Sequence, residues 1–229
     1  MRKLLTLLAA MLVAAPLIAR TPAPGQSGKT DPDKVVKGGG KLPPEWKARF
    51  DQVGTKMDAV GFENTGTGLH ITTGPAAIFY PPQAQSGKYR TQATFIQVKP
   101  SAHPEAYGLF IGGTDLQAET QKYTYFVINQ TGKFLIKRRA GAETPTTMSW
   151  TDSPAINKAD ASGKMSNSLQ IDVAADTVRF LINNTEVAAR PVAEIDTKGQ
   201  AGIRINHNLE VIVEAMMVSA DVPAVLPKH

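Results

Sequence analysis

The sequence contains no cysteine. That excludes disulfides, thiolate metal sites, iron–sulfur clusters, a cysteine nucleophile and a lipid-bearing N-terminal cysteine. Aromatic residues are 7% of 229, with two Trp, so any stacking surface for a ligand must be small. Only one long apolar run exists, at 4–19, and its roughly fifteen residues fall short of the ~20 that span a bilayer. No G-x-S-x-G elbow, H-E-x-x-H helix or EF-hand spacing occurs, which removes the common hydrolase, zinc-protease and calcium-loop motifs. Apolar content of 42% and charged content of 20% are those of an ordinary globular protein.

The apolar run follows Arg2 and Lys3 and contains Pro16 near its end, the layout of a secretory signal peptide. Residues 1–19 are therefore expected to be removed, with cleavage after Ala19 or, alternatively, after Gly25, and the mature chain is expected to be secreted or periplasmic. Loss of Arg2 and Lys3 takes the net charge from +5 to +3. Residues 20–44 are rich in Pro, Gly and Lys and read as a linker. The expected domain, 45–223, is slightly acidic, with 224–229 as a tail. The basic balance thus belongs to the leader and linker, and a nucleic-acid partner loses its electrostatic basis.

From residue 68 onward, apolar residues recur at period two between Gly, Asn, Asp and Pro punctuation. Leu169, Ile171 and Val173 alternate with Gln170 and Asp172; Val178, Phe180 and Ile182 with Arg179; Ala201, Ile203 and Ile205 with Arg204. The turns N-Q-T-G at 129–132 and N-N at 183–184 are hairpin chemistry. This predicts an all-β, antiparallel sandwich of about 11–13 strands, each with one wet face, in a jelly roll. Short helices are expected only at 44–52 and within 100–105 and 116–121. About 180 residues bury enough surface to fold without a cofactor.

Three stretches carry a resemblance. They are Y-G-L-F-I-G-G-T-D at 107–115 with Y-T-Y-F-V-I at 123–128, N-S-L-Q-I-D-V with V-R-F-L-I-N-N-T-E-V at 167–187, and G-Q-A-G-I-R-I-N-H with V-I-V-E-A-M-M-V at 199–218. Together they resemble the concanavalin A-like lectin/glucanase superfamily, in particular its laminin-G-like modules and secreted bacterial 3-keto-disaccharide hydrolase-like domains. The resemblance implies a jelly roll and a carbohydrate ligand. Asn184 stands where the resembling hairpin has Gly, and Asn tolerates positive φ. Glucanases on this fold carry E-x-D-x-x-E along one strand, with the paired carboxylates about 5 Å apart. Here Glu194 and Asp196 are followed by Gly199 in place of the second Glu, so that mechanism is not expected.

A binding surface is the reading the residues favour. In the 123–129 strand, Tyr123, Tyr125 and Asn129 share one face; Arg90 and Gln92 line one side of another strand. Placed together on one concave sheet, with Trp150 and Arg204, they would offer rings, amides and guanidinium groups to a sugar. The expected function is an exported, non-catalytic carbohydrate-binding domain. An enzyme of the 3-keto-disaccharide hydrolase-like type would draw on His207, Arg204 and Asp115 as base and polarisers. An envelope protein-interaction module would expose Ile212, Met216 and Val218. No cofactor is expected, except that laminin-G-like relatives bring in calcium, for which Asp115 leads Asp152, Asn157 and Asp160.

Overall fold

The computed structural model describes residues 32–220; the proposed signal peptide and the tail from 224 lie outside them. In chain order the strands are β1 (Lys47–Phe50), β2 (Val60–Asn64), β3 (Gly68–Thr73), β4 (Ala77–Tyr80), β5 (Ala84–Gln85), β6 (Tyr89–Gln97), β7 (Ala106–Thr114) and β8 (Lys122–Asn129). They continue as β9 (Lys133–Ala140), β10 (Thr146–Asp152), β11 (Met165–Val173), β12 (Thr177–Ile182), β13 (Thr185–Pro191), β14 (Gly199–Ile205) and β15 (Glu210–Ser219). One sheet runs β1-β4-β14-β7-β8-β9-β10, with β5 beside β14; the other runs β13-β12-β11-β6-β15-β3-β2. Every pairing within both sheets is antiparallel. This is a jelly-roll β-sandwich.

The alternating residues do what their period requires. Leu169, Ile171, Val173, Val178, Phe180, Ile182, Ala201, Ile203 and Ile205 are all buried between the sheets. Phe126 of β8 meets Phe180 of β12 edge-on at 5.3 Å, and Phe95 of β6 meets Tyr107 of β7 at 5.6 Å. Such contacts join the two layers, and each buried ring removes enough apolar surface from water to stabilise by roughly 2–3 kcal/mol. The 183–184 hairpin turns with both Asn residues at positive φ (48° and 64°), the geometry a two-residue loop of type I′ demands.

Several local expectations give way. Residues 47–50 form an edge strand rather than a helix, and 100–105 and 116–121 are turns and bends. The only helical pieces among the described residues are single 3₁₀ turns at Met57–Ala59 and Val192–Glu194. In β15 the register shifts between Glu214 and Met217, with Ala215 at φ 49°. This bulge reverses the strand's parity. Met216 and Val218 consequently pack against the core, and Met217 is the exposed residue.

The second half of the expected linker is docked on the sandwich. Gly39 bridges to Gly61 in parallel, exchanging hydrogen bonds with Val60 and Phe62, and Leu42 packs against the core. A Cβ on Gly40 would lie 1.7 Å from the Phe62 carbonyl oxygen, so only glycine lets the strap approach so closely. Its start is fixed at the β14–β15 turn. The Lys34 N–H donates to Asn208 Oδ1 (2.7 Å), and His207 sits between Asp33 (3.0 Å) and Glu105 (2.8 Å).

Partial burial works against the charge on His207, but Glu105 and Asp33 outweigh it and raise the pKa above its ordinary 6.5. A raised folded pKa contributes stability that is complete below about 6.5 and is lost as pH rises through the folded value. The melting temperature of the wild-type protein should therefore fall from pH 6 to pH 9 relative to that of His207→Gln. Parallel profiles for the two proteins would contradict this clamp.

Candidate functional site

The outer face of the eight-stranded sheet, expected to be wet, carries a second apolar cluster. It comprises Ile78, Tyr80, Ala106, Phe110, Leu116, Tyr123, Tyr125, Val127 and Leu135. Four of these form a ladder of rings across β4, β7 and β8: Tyr80–Phe110 at 6.1 Å, Phe110–Tyr123 at 5.3 Å and Tyr123–Tyr125 at 5.8 Å. Gly202 makes room for it, because a Cβ there would lie 2.7 Å from the Phe110 ring and 2.8 Å from Tyr80 Cβ.

Arg204 projects from β14 onto this ladder. Its guanidinium lies 5.0 Å from the centre of the Tyr125 ring, a cation–π arrangement. Nη1 donates to the Tyr123 hydroxyl (3.1 Å) and to Asp51 Oδ1 (3.0 Å), and Nη2 donates to Asp51 Oδ2 (2.6 Å). The Arg204 side chain is only 9% exposed, whereas that of Asp51 is 34% exposed. Burial alone would raise the Asp51 pKa; the charge and hydrogen bonds of Arg204, with help from Arg139 and Arg49, hold it below the usual carboxylate range. Burial pushes the Tyr123 and Tyr125 hydroxyls up, so both stay neutral.

Arg49 of β1 and Arg139 of β9 reach the same face by strand parity, Arg139 sharing it with Leu135. The β7–β8 loop closes over one side. Gln117 Nε2 donates to the Tyr80 hydroxyl (2.7 Å) and the Ala48 carbonyl (3.1 Å), and Arg49 Nη1 donates to the Gln117 carbonyl (2.9 Å). Gln117 stands between two open clefts. One, of about 460 Å³, is lined by Lys47, Tyr80, Asp115 and Gln200 among others; the second, of about 290 Å³, is lined by Arg49 and residues 52–55.

The residues expected to bind ligand are divided among several places. Tyr123, Tyr125 and Arg204 come together as described. Asn129 shares their strand, but its Oδ1 accepts from the Thr131 N–H and hydroxyl and the Lys133 N–H, closing the hairpin turn. Arg90 and Gln92 lie in β6, on the outer face of the opposite sheet, and Arg90 forms a two-point pair with buried Asp172 (2.6 and 2.7 Å). A single surface shared by Arg90 and Tyr123 is thereby ruled out, since the two strands belong to different layers. Trp150 is exposed on edge strand β10. Asp115 opens the β7–β8 loop at φ 52° and is exposed.

His207 is held elsewhere, with Nδ1 facing Asp33 of the strap and Nε2 facing Glu105 just before β7. Glu194 lies in a 3₁₀ turn and Asp196 is paired with Arg138, so the two do not line a strand as a glucanase pair does. Among the described residues, no three His, Asp or Glu side chains converge as metal ligands would. Sequence reading missed Asp51, Arg49, Arg139, Tyr80 and Phe110. The apolar residues at both parities of 106–111 and 123–128 were the available signal, since strands covered on both faces lose alternation.

No protein-family model matches the sequence, and no curated protein does. Solved structures do match in fold. A carbohydrate-binding module, CBM66, from Bacillus subtilis superposes with a TM-score of 0.56 at 9% identity, over 76% of this chain and 95% of that one. A family 16 endo-glucanase from Bacteroides ovatus gives 0.55 at 8% identity, over 78% and 96%. A Bacillus subtilis protein of unknown function with a galectin-like fold gives 0.52 at 12%, over 77% and 89%. The fold is the concanavalin A-like jelly roll.

The asymmetry of the Arg204–Asp51 pair has a measurable consequence. Removing Asp51 strands a buried cation, whereas removing Arg204 leaves a carboxylate that water reaches. In urea denaturation, Asp51→Asn should cost about 3 kcal/mol and Arg204→Met about 1 kcal/mol. The reverse order would mean that the guanidinium is not held by Asp51.

Proposed function

We propose that this chain is an exported, lectin-like domain that binds carbohydrate without catalysing a reaction, through the outer face of the eight-stranded sheet. The observation that carries the reading is the ring ladder overlaid by Arg204, with polar groups held in place by Asp51 and Tyr123. Sugars present rings of hydroxyls, which call for a few oriented donors; the ladder, itself buried, is the apolar platform that holds Arg204 and the tyrosine hydroxyls in position. Gln117, exposed between the two open clefts, is the first group a ligand meets, and Tyr80 lies buried beneath it. The fold is shared with a protein named as a carbohydrate-binding module and with an endo-glucanase, which supports the ligand class but not a reaction. Export rests on the basic, apolar and Pro-containing pattern of residues 1–19. Binding by these groups needs no metal ion.

The test is a broad glycan array probed with the purified full-length protein, in calcium and again in EDTA, followed by product analysis on every hit. Binding that survives EDTA, is lost in Arg204→Met and yields no product is the expected outcome. A blank array would overturn the carbohydrate reading, and released product would overturn the non-catalytic one.

A further inference from the structure

The charges on the site face do not balance. Arg49, Arg139 and Arg204 gather around one carboxylate, Asp51, whose pKa all three depress. Asp51 occupies both terminal nitrogens of Arg204. The Nε atoms of Arg49, Arg139 and Arg204 are all buried without a hydrogen-bond partner among the described residues, and Arg204 is itself more than nine-tenths buried. Strand parity puts Lys137 on the same face, next but one to Arg139. The local excess is not a reflection of composition, because the surrounding domain is slightly acidic.

Clustered guanidinium groups repel one another, and a buried donor without an acceptor costs free energy. An oxyanion beside the half-buried Arg49 and Arg139 offsets the repulsion, and the planar fork of arginine matches the two oxygens of a carboxylate. The rings beneath these groups are buried, so the sugar part of the ligand comes from the carbohydrate reading and the charge from the arginines. We infer that the ligand of this site is an acidic saccharide whose uronate carboxylate is taken by Arg139 and Arg49 beside Arg204. This rests on the carbohydrate reading and narrows it to one substrate class.

The comparison that tests it pairs oligouronates (galacturonate, mannuronate and glucuronate chains) with their methyl esters, which keep the sugar and remove the charge. Calorimetric titration of the full-length protein should show at least one oligouronate binding tenfold or more tightly than its ester, with affinity falling as salt rises. Arg139→Gln should abolish that preference without lowering the melting temperature; Arg49→Gln is the second variant. The ester comparison uses the wild-type protein and stands even if a variant fails to fold. Equal affinity for acid and ester would overturn this inference and leave the carbohydrate reading intact. Failure of every glycan, neutral ones included, would overturn both. Equal binding of polyglutamate would show that the carboxylate is recognised without a sugar, and preference for a sulfated neutral chain would assign the charge to sulfate; either contradicts the proposal.

Discussion

A guanidinium held at the surface of an aromatic cluster is the constraint on which this site depends. Arg204 is buried, and its charge is retained because Asp51 takes two of its nitrogens and the Tyr123 hydroxyl accepts from one of them. Asp51 follows directly on edge strand β1, so the pair also fastens that strand across β4 to the middle of the sheet. The same pair fixes the orientation of the groups that would face a ligand. Any binding at this face would therefore be coupled to fold stability at one residue pair, one member on strand β14 and the other in the turn after β1.

The two faces of the sandwich are built on different principles. Between the sheets, rings and branched aliphatics interlock, as at Phe126–Phe180, with few polar atoms such as the Tyr89 and Tyr107 hydroxyls among them. On the outer face of the eight-stranded sheet, tyrosines replace phenylalanines at Tyr80, Tyr123 and Tyr125, and the hydroxyls of Tyr80 and Tyr123 are hydrogen-bonded. A layer of this kind is apolar enough to exclude water and polar enough to orient donors. The opposite sheet has no such layer. Its outer face carries the Arg90–Asp172 and Arg179–Glu186 pairs, in which the charges are matched one to one.

Much of this architecture is legible in the amino-acid order. Strands β11 and β14 alternate, as does β12 apart from Leu181, and each apolar residue assigned to the interior is found there. The turn at Asn183–Asn184 also follows from residue type. What eluded sequence reading depends on partners distant in the chain. Asp51 and Arg204 are 153 positions apart, and no local pattern pairs them. Alternation also presupposes unbroken strands: the Ala215 bulge inverts the faces of Met216 and Met217 without any Gly or Pro to announce it. Likewise the strap at 32–44 has a linker's composition, and its docking follows from glycines that allow close approach to β2. Of the expected binding residues, Tyr123, Tyr125 and Arg204 converge because β14, β7 and β8 are neighbours, while Arg90 is carried to the other layer by β6.

The central claim is one of place: that ligand is bound on the outer face of the eight-stranded sheet. Hydrogen–deuterium exchange of the full-length protein, with and without a saturating oligouronate, tests it most directly. Slower exchange in β8, β14 and the 115–121 loop is the predicted result. Protection confined to β6 and β11, around Arg90 and Asp172, would place the ligand on the other sheet and contradict the account.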